Sequence, residues 1–461
     1  MSNYQITEAD NLGAGGAKTK AKANLAAVRL LHQLEDESRT ATPDEQAVLV
    51  KFSGWGTVPD IFTAKPDWVD LQSQLREVLT DGEFAAARAA TLNAHYTAPG
   101  VVSAIYDGLE RLGFSGGTVL DPSMGATGMF EGLMPESMRD RSEITGIELD
   151  SISGRIAQQL YPDATIHVRG LERTILPNDH FDLAISNVPF SEVKVSDPEY
   201  NGQPINTLHD YFFVKSLDKV RPGGLVAFIT STGTMQSGQS EGVREYLSER
   251  ANLVGAIRLP NDTFRQIAGT DVTTDLILLQ KLGDGVEPNG INWTKVVPSS
   301  IVGEDGTPLP INEYYQQRPE MLLGTLTDDT LYPGRLALQG DGRDLGKSIQ
   351  AAFEQMPQGI YRAAPEAVQQ LTAILVPPDL QDSVQPGSFV MHDDHLMRRI
   401  GNVLKPLDLT GKKLERVQGL IAVREAVQEV LNVQVSNSED EVLEQAQANL
   451  TTIYDQFVEE F

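Results

Sequence analysis

The tetrapeptide Asn187-Val188-Pro189-Phe190 combines groups that could together hold a planar ligand bearing an amino group. The asparagine amide and a backbone carbonyl can accept hydrogen bonds from the amino group, and the aromatic ring can stack on the face of the ligand. The proline makes the backbone between them rigid. Asn and Pro are also common in turns, so the tetrapeptide by itself is more typical of a loop that follows a strand.

The chain around the tetrapeptide predicts an α/β fold. Apolar residues dominate positions 181–186, which indicates a short buried strand that ends at Asn187. Strand-like and helix-like segments alternate over residues 86–285, and this alternation predicts a mostly parallel, seven-stranded sheet with helices on both faces. The other predicted strands are residues 118–121, 144–148, 165–169, 225–230, 253–259 and 273–280.

The turn after the first predicted strand could form a cradle for a nucleotide-sized ligand. The strand ends at Asp121 and is followed by a turn that contains Gly125 and Gly128, which allow the backbone to approach a ligand closely. The spacing differs from the G-x-G-x-x-G of dinucleotide enzymes, and Asp121 suits a cationic amine better than a pyrophosphate. Glu148 ends the second strand, where nucleotide-binding sheets hold the ribose hydroxyls, although a solvated carboxylate is the alternative.

Length and composition exclude several classes of protein. The chain has 461 residues, 40% of them hydrophobic, which is enough for two or three folded domains. It has no cysteine, so disulfides and thiolate metal sites are excluded, and we expect a cytoplasmic protein. We see no basic segment followed by an apolar one at the N-terminus and no apolar run of about eighteen residues, so neither a signal peptide nor a membrane span is predicted.

The charge of the chain gives little support for nucleic-acid binding. The formal net charge is −27, which argues against attraction of the whole surface to a polyanion but does not exclude a local basic groove. The densest basic cluster of the C-terminal half could contact a DNA backbone or form a solvated face. It consists of Arg398, Arg399, Lys405, Lys412, Lys413 and Arg416.

We predict three further regions around the central domain. Residues 1–85 have helical periodicity and form an N-terminal cap, in which we interpret Trp55 as a packed anchor rather than a binding residue. Residues 286–385 are an irregular, mixed region for contact with DNA or a partner. Residues 386–461 form a hairpin followed by acidic helices. His392 and His395 flank two aspartates, but their spacing matches no zinc pattern, so we predict no metal.

In their order and spacing, six stretches resemble the S-adenosylmethionine-dependent DNA adenine N6-methyltransferases. The closer resemblance is to the methyltransferase portion of methyltransferase–helicase fusion proteins from plasmids, phages and bacterial defence loci. It extends to about residue 285 and includes Gly54-Trp55-Gly56 in the lead-in. The six stretches are His95-Tyr-Thr-Ala-Pro99, Asp121-Pro-Ser-Met-Gly-Ala-Thr-Gly128, Gly146-Ile-Glu-Leu-Asp150, Asn187-Val-Pro-Phe190, Val220-Arg-Pro-Gly-Gly224 and Ala256-Ile-Arg-Leu-Pro260 with Thr273-Thr-Asp-Leu-Ile-Leu.

The resemblance implies a Rossmann-like methyltransferase sheet and S-adenosylmethionine as the cofactor, with S-adenosylhomocysteine as its product. Asp121 would then bind the cofactor's ammonium group and Glu148 its ribose. The sequence departs from the family at Leu171, where an aspartate usually binds the adenine amine and where Glu172 could substitute. The cofactor positions that the resemblance implies are Tyr96, Thr97, Asp121, Pro122, Gly125, Gly128, Glu148, Leu149, Leu171, Glu172 and Asn187.

The resemblance also implies a reaction at the tetrapeptide. Asn187 and the carbonyl of Val188, which replaces the first of two usual prolines, would accept the two N–H bonds of an adenine amine. Pro189 would keep the turn rigid, and Phe190 would stack on the flipped-out base. Phe264 is a second stacking candidate, although a core residue is the better interpretation. The expected partners are DNA and a helicase or other subunit of a defence complex.

Two alternatives to a restriction-modification, phage or defence methyltransferase remain open. The same chemistry serves enzymes that methylate RNA adenine or a glutamine amide of a protein, although those chains are usually shorter. The second alternative is a catalytically degenerate scaffold that binds the cofactor within a helicase or defence complex. Val188, Leu171 and the negative net charge favour this second alternative.

Overall fold

The computed structural model divides into two compact units, Met1–Ala363 and Ala364–Phe461. No helix among the described residues is both long enough and apolar enough to cross a membrane. The four-region division expected from the sequence stays a prediction. The structure describes residues 2–63, 65–91, 97–125, 127–190, 193, 195–264, 271–329, 334–363, 374–376, 380, 384–385, 387–392, 395–401, 403–407, 409, 411–435 and 440–461.

A seven-stranded sheet forms the centre of the first unit, with the strand order β3-β2-β1-β4-β5-β7-β6. Strands β1 to β5 pair in parallel, and β7 runs antiparallel to both β5 and β6. This arrangement confirms the predicted α/β fold. The strands are β1 (Thr118–Asp121), β2 (Glu143–Glu148), β3 (Thr165–Val168), β4 (Phe181–Asn187), β5 (Val220–Ser231), β6 (Ala251–Leu259) and β7 (Thr274–Lys281).

The strand order reverses between β1 and β4, and this reversal determines where a ligand can bind. In open parallel sheets the connections leave such neighbours in opposite directions, which opens a crevice at the carboxyl ends of the strands. Asp121 is the last residue of β1 and Asn187 is the last residue of β4. Two residues that the sequence marks for chemistry therefore lie at the same edge of the sheet.

The helices predicted for the N-terminal region and the central domain are present. Thr42 caps α2, accepting from the N–H of Glu45, because a Thr-Pro-Asp-Glu sequence favours a helix start. The helices of this part are α1 (Ala17–Asp36), α2 (Pro43–Leu49), α3 (Val69–Val78), α4 (Asp81–Ala90), α5 (Pro99–Leu112), α6 (Met129–Leu133), α7 (Glu136–Arg139), α8 (Ser151–Leu160), α9 (Leu208–Lys219), α10 (Gly233–Gln236) and α11 (Glu241–Ser248).

Strand β5 begins five residues before the predicted residue 225, at Val220, so that a Pro-Gly-Gly sequence lies inside a strand. The side chain of Arg221 donates to Asp182 of β4 over 2.7 Å, which fixes this segment against its neighbour. The pairing of β4 with β5 shifts register between Phe181 and Leu183, and Gly223 has a φ of +78°. With its positive φ, Gly223 accommodates this irregular pairing, which the sequence did not predict.

The chain after the sheet continues in the first unit. Phe353 of α13 packs where Gly108 leaves room on α5, since a Cβ at Gly108 would overlap the phenylalanine ring. The sequence predicted a strand from Trp293, but the strand begins at Val296 and Trp293 is buried before it. The elements are β8 (Val296–Val302), β9 (Pro308–Asn312), α12 (Glu313–Gln317), β10 (Thr325–Asp328), β11 (Leu336–Gln339) and α13 (Leu345–Glu354).

The second unit contains a small antiparallel sheet and two helices. The predicted hairpin is present and pairs His392 with His395, while its turn at 393–394 lies outside the described residues. Among the described residues, no three metal-ligating side chains form a group. The elements are β12 (Ile374–Leu375), β13 (Phe389–His392), β14 (His395–Ile400), β15 (Val403–Pro406), α14 (Gly411–Val435) and α15 (Asp440–Glu460).

Candidate active site

A cavity of about 800 Å³ lies at the carboxyl edge of the central sheet. Its size is within the range of sites that enclose small molecules. Residues after β1, β2, β3 and β4 all contribute to its wall, as the reversal of strand order predicts. Among the predicted site residues, those that line it are Thr97, Pro122, Gly125, Glu148, Leu149, Leu171, Glu172, Asn187 and Pro189.

Asp121 is completely buried at the end of β1. Its Oδ1 atom accepts from the hydroxyl of Ser186 over 2.7 Å and from the N–H of Ser123 over 3.0 Å. Oδ2 has no hydrogen-bond partner among the described residues. Burial raises the pKa of the Asp121 carboxyl to about 7, and the nearby, equally buried Glu131 has its pKa raised well above the usual value. Asp121 is not itself part of the cavity wall, and its side chain is hydrogen-bonded to the Glu131 carboxyl when one of the two carries a proton, so a positively charged donor would have to replace this contact.

The two glycines of the turn after β1 have different surroundings. Gly125 has a φ of +72°, and a Cβ there would meet nothing within 4 Å, which agrees with its place in the cavity wall. A Cβ at Gly128 would come within 2.6 Å of the Tyr161 ring. Packing against Tyr161 therefore accounts for Gly128, which does not line the cavity, and its predicted role toward the cofactor stays a prediction.

Glu148 connects the glycine turn to the end of β2. Its carboxylate accepts from the N–H of Gly125 over 2.8 Å and from the N–H of Asp150 over 2.7 Å. Burial raises the pKa of this carboxyl to about 7. A carboxylate has room for further donors, so these two bonds leave capacity for hydroxyl groups. The adjacent Leu149 lines the cavity with 71% of its surface exposed, although it is apolar.

Leu171 and Glu172 follow β3 and line the cavity together. Leu171 is buried, and its carbonyl accepts from the ammonium group of Lys215 over 2.9 Å. The same ammonium group pairs with Asp197 over 2.8 Å, so Lys215 connects the segment after β3 to the loop after β4. Of Leu171 and Glu172, only Glu172 is acidic. Its Oε1 lies 3.4 Å from Nε of Arg173.

Asn187 is held in one orientation by Thr97. The Nδ2 atom of Asn187 donates to the Thr97 hydroxyl over 3.1 Å, and Thr97 itself is 2% exposed. The Oδ1 atom of Asn187 is buried and has no partner among the described residues. The amide therefore presents a free acceptor, while its donor is already used. Tyr96, the other residue predicted near Thr97, lies outside the described residues.

The rest of the tetrapeptide is fixed to β5. The N–H of Val188 donates to the carbonyl of Ile229 over 3.0 Å, and the Val188 side chain is fully buried. Pro189 lines the cavity, whereas Phe190 is half-buried and is not part of the wall. Phe264 is 1% exposed and belongs to the core, in agreement with the interpretation preferred for it.

Sequence reasoning missed three features of the site. Neither the bond from Asn187 to Thr97 nor the role of Lys215 has a local signal, because each joins segments far apart in the chain. Trp55 lines the cavity, whereas the sequence favoured an anchor role for it. Its position between two glycines was a signal that could have been given more weight.

The family comparison agrees with the geometry of the sheet and its edge. Residues 70–289 match the model of the N-6 DNA methylase family. We call these residues the methylase domain, after the family model that they match. The domain includes α4, α5 and all seven strands of the central sheet, and it therefore contains every described residue that the sequence marked for the site.

One curated relative is similar to about half of this chain at low identity. "Defense against restriction protein B" of Escherichia phage P1 is 28% identical over 227 residues, which is 48% of this chain and 10% of the phage protein. The chain thus spans about a tenth of the length of this curated relative.

Two solved structures of type I restriction-modification methyltransferases are also similar. The methyltransferase subunit from Streptococcus thermophilus is 16% identical with a TM-score of 0.37, and covers 57% of this chain and 66% of its own. The EcoKI M protein is 17% identical with a TM-score of 0.35, and covers 65% and 70% respectively. At these identities and TM-scores, neither activity nor partners transfer from these proteins to this chain.

Proposed function

We propose that this protein transfers a methyl group from S-adenosylmethionine to the exocyclic N6 of an adenine in DNA. The observation that carries the proposal is the amide of Asn187, a residue of the cavity wall: its Nδ2 donates to Thr97, and its Oδ1 is buried without a partner among the described residues. A buried oxygen that lacks a donor can accept a hydrogen bond from an amino group of a ligand. The match of residues 70–289 to the model of the N-6 DNA methylase family supports the same reaction.

The cavity has groups that fit the cofactor. Glu148 lines the cavity, and its carboxylate would accept from the ribose hydroxyls; Asp121 directly precedes the lining residue Pro122, and its Oδ2 would accept from the ammonium group. Pro122, Gly125, Leu149 and Leu171 would enclose the nucleoside, with Glu172 as the acceptor for its amine. Bound there, the cofactor supplies a sulfonium methyl group, which needs no metal for its transfer.

The chain itself would orient and polarise the target amine. Asn187 Oδ1 and the carbonyl of Val188 would accept its two N–H bonds, which increases the electron density on a nitrogen whose lone pair is delocalised into the ring. The bond from Val188 N–H to Ile229 fixes the peptide group between Asn187 and Val188 before the substrate arrives, so little reorganisation is needed there. Phe190 would stack on the base, which must leave the duplex to reach this edge.

The biological setting is also part of the proposal. The phage relative is named for defence against restriction, and this name favours a role in restriction-modification or phage defence. We propose DNA as the partner, together with a helicase or another subunit of a defence complex. In the second unit, Arg399 donates to the carbonyl of Gly401 within its own sheet, so Lys412, Lys413 and Arg416 are the better candidates for phosphate contact.

The decisive experiment for the substrate class is transfer of labelled methyl from S-adenosylmethionine to four acceptors in parallel. These are unmethylated duplex DNA, single-stranded DNA, RNA and bacterial protein extract. We expect label in DNA, recovered as N6-methyladenine. Label recovered only in RNA or in glutamine would replace the proposed substrate, and cofactor binding with no transfer to any acceptor would favour a scaffold.

A further inference from the structure

Trp55 lies in the wall of the cavity but precedes the methylase domain in the chain. It follows α2, is 1% exposed and packs edge-on against Phe52 and Phe62, with ring centroids 5.3 and 5.7 Å away. Its backbone neighbour Gly54 lines the same cavity. The helical region formed by α1 to α4 therefore contributes to the site through a residue with a polar atom.

The indole N–H of Trp55 has no hydrogen-bond partner among the described residues, although it is buried. A buried donor without a partner costs free energy, and most are paired in folded proteins. Three residues of the cavity wall each have a polar side-chain atom that is buried and unpaired among the described residues: Trp55 Nε1, Thr127 Oγ1 and Asn187 Oδ1. The tryptophan is the one that can only donate, so it requires an acceptor.

The loop that carries Trp55 is fixed by hydrogen bonds to a side chain of α1. The buried side chain of Asn24 donates to the carbonyl of Gly54 over 2.7 Å and accepts from the N–H of Ser53 over 2.8 Å. The helical region is further joined to α8 by the ion pair between Glu35 and Arg155 at 2.8 Å. A donor fixed in this way is already oriented before a ligand binds, which reduces the entropy lost on binding.

We infer that the Trp55 indole N–H donates a hydrogen bond to the cofactor in this cavity, so that the region before the methylase domain completes the cofactor site. This inference rests on the proposed function. S-adenosylmethionine carries several acceptors, namely the ribose oxygens, the ring nitrogens and the carboxylate. The donor matches them, whereas the acceptors Asn187 Oδ1 and Asp121 Oδ2 are assigned to amino and ammonium groups.

The chain contains a matched control in Trp293. It is also 1% exposed, and its indole N–H is likewise buried without a partner among the described residues. Trp293 is not part of the cavity wall. Replacing either tryptophan by phenylalanine removes one unpaired N–H and makes one buried ring smaller, so both variants have a similar packing cost. They differ in that only Trp55 lies in the wall of the proposed cofactor site.

The test is a calorimetric titration of the full chain with S-adenosylmethionine and with S-adenosylhomocysteine, in the absence of DNA. Wild type, Trp55→Phe and Trp293→Phe are compared, and the melting temperature of each is measured without ligand. We expect Trp55→Phe to weaken both ligands by about 3- to 10-fold, the loss for one hydrogen bond, and Trp293→Phe to leave them unchanged.

A variant that keeps Trp55 as its single tryptophan gives a second readout that does not depend on stability. In Trp68→Phe/Trp293→Phe, the emission of Trp55 alone should change on addition of cofactor and saturate at the calorimetric affinity. Equal affinity of Trp55→Phe and wild type would overturn the inference, as would equal weakening in both phenylalanine variants. Failure of wild type to bind either ligand would instead overturn the proposed function, so the two failures are distinguishable.

Discussion

The central sheet contains two buried polar clusters that differ in how completely their hydrogen bonds are satisfied. At β6 and β7, Arg258 and Asp275 are both fully buried and joined by two bonds of 2.8 and 2.9 Å. Gln236 and Tyr315 complete this cluster at 2.6 and 2.7 Å. At the ends of β1 and β4, Asn187 keeps one buried oxygen without a partner among the described residues, and the second oxygen of Asp121 has only the buried carboxyl of Glu131 beside it.

The difference separates structural from functional burial. A buried charge with all its partners in the protein rigidifies the fold and has no capacity for a ligand. A buried acceptor without a partner is costly in the free protein and becomes favourable when a ligand supplies the donor. We propose that the same sheet uses one cluster for stability and keeps the other for a ligand.

The largest effect should follow from breaking the satisfied cluster. Arg258→Met leaves the carboxylate of Asp275 buried without its cation, and we expect a loss of about 3–5 kcal/mol of unfolding free energy. The measurement is chemical denaturation. Cofactor affinity of the folded fraction should not change, because Arg258 does not line the cavity.

The double variant Arg258→Met/Asp275→Leu is the control for this prediction. It removes both charges, so it should cost less than the single variant, since no charge is left buried and unpaired. If Arg258→Met were as stable as wild type, the pair of Arg258 and Asp275 would not stabilise the fold, and this half of the comparison would be wrong.

A smaller effect, on binding rather than stability, should follow at the unsatisfied cluster. Asp121→Asn keeps the acceptor for Ser186 and Ser123 but removes the negative charge that the ammonium group would meet. We expect affinity for S-adenosylmethionine to fall by about 10- to 150-fold, the range for one charged hydrogen bond, with little change in the melting temperature. Unchanged affinity in calorimetry would remove Asp121 from the cofactor site.

The smallest predicted effect is a pH dependence of cofactor binding. Because burial raises the pKa of Asp121 to about 7, the free protein must lose a proton to pair with an ammonium group at lower pH. Affinity should therefore rise with pH up to about 7 and level off above it, with up to about a tenfold fall per unit below.

Asp121→Asn distinguishes the contribution of Asp121 to this rise of affinity with pH from that of other buried carboxyls. Glu148 also has its pKa raised to about 7 by burial, and its protonation would act in the same direction. The variant should lose most of the dependence between pH 5 and 7, and whatever slope remains belongs to Glu148 or Glu131. A wild-type affinity that is flat over this range would contradict the assignment of Asp121.

The fold was largely predictable from the sequence, because its signals are local. Apolar runs identified the strands, and helical periodicity identified the helices of residues 1–85. The exception is β5, whose predicted start at residue 225 left out a Pro-Gly-Gly sequence that the ion pair of Arg221 with Asp182 holds in the strand. That contact joins two strands and has no signature within either segment.

The site was predictable in its position but not in its internal contacts. Asp121, Glu148 and Asn187 could be placed at one edge because each ends a strand of a parallel sheet. The bond from Asn187 to Thr97 and the contacts of Lys215 with Leu171 and Asp197 depend on packing between distant segments. Trp55 is packed, as the sequence indicated, but its place in the cavity wall has no separate signal, because a sequence does not distinguish a core residue from one that lines a cavity.

The most direct test of the central claim is removal of the unpaired acceptor on Asn187. N6-methyladenine is measured by mass spectrometry of nucleosides after duplex DNA is incubated with S-adenosylmethionine and either wild type or Asn187→Ala. We predict methylation by wild type and a rate about 100- to 1,000-fold lower for the variant, with its cofactor affinity and melting temperature nearly unchanged. Equal methylation by both proteins would contradict the claim that this amide oxygen holds the reacting amine.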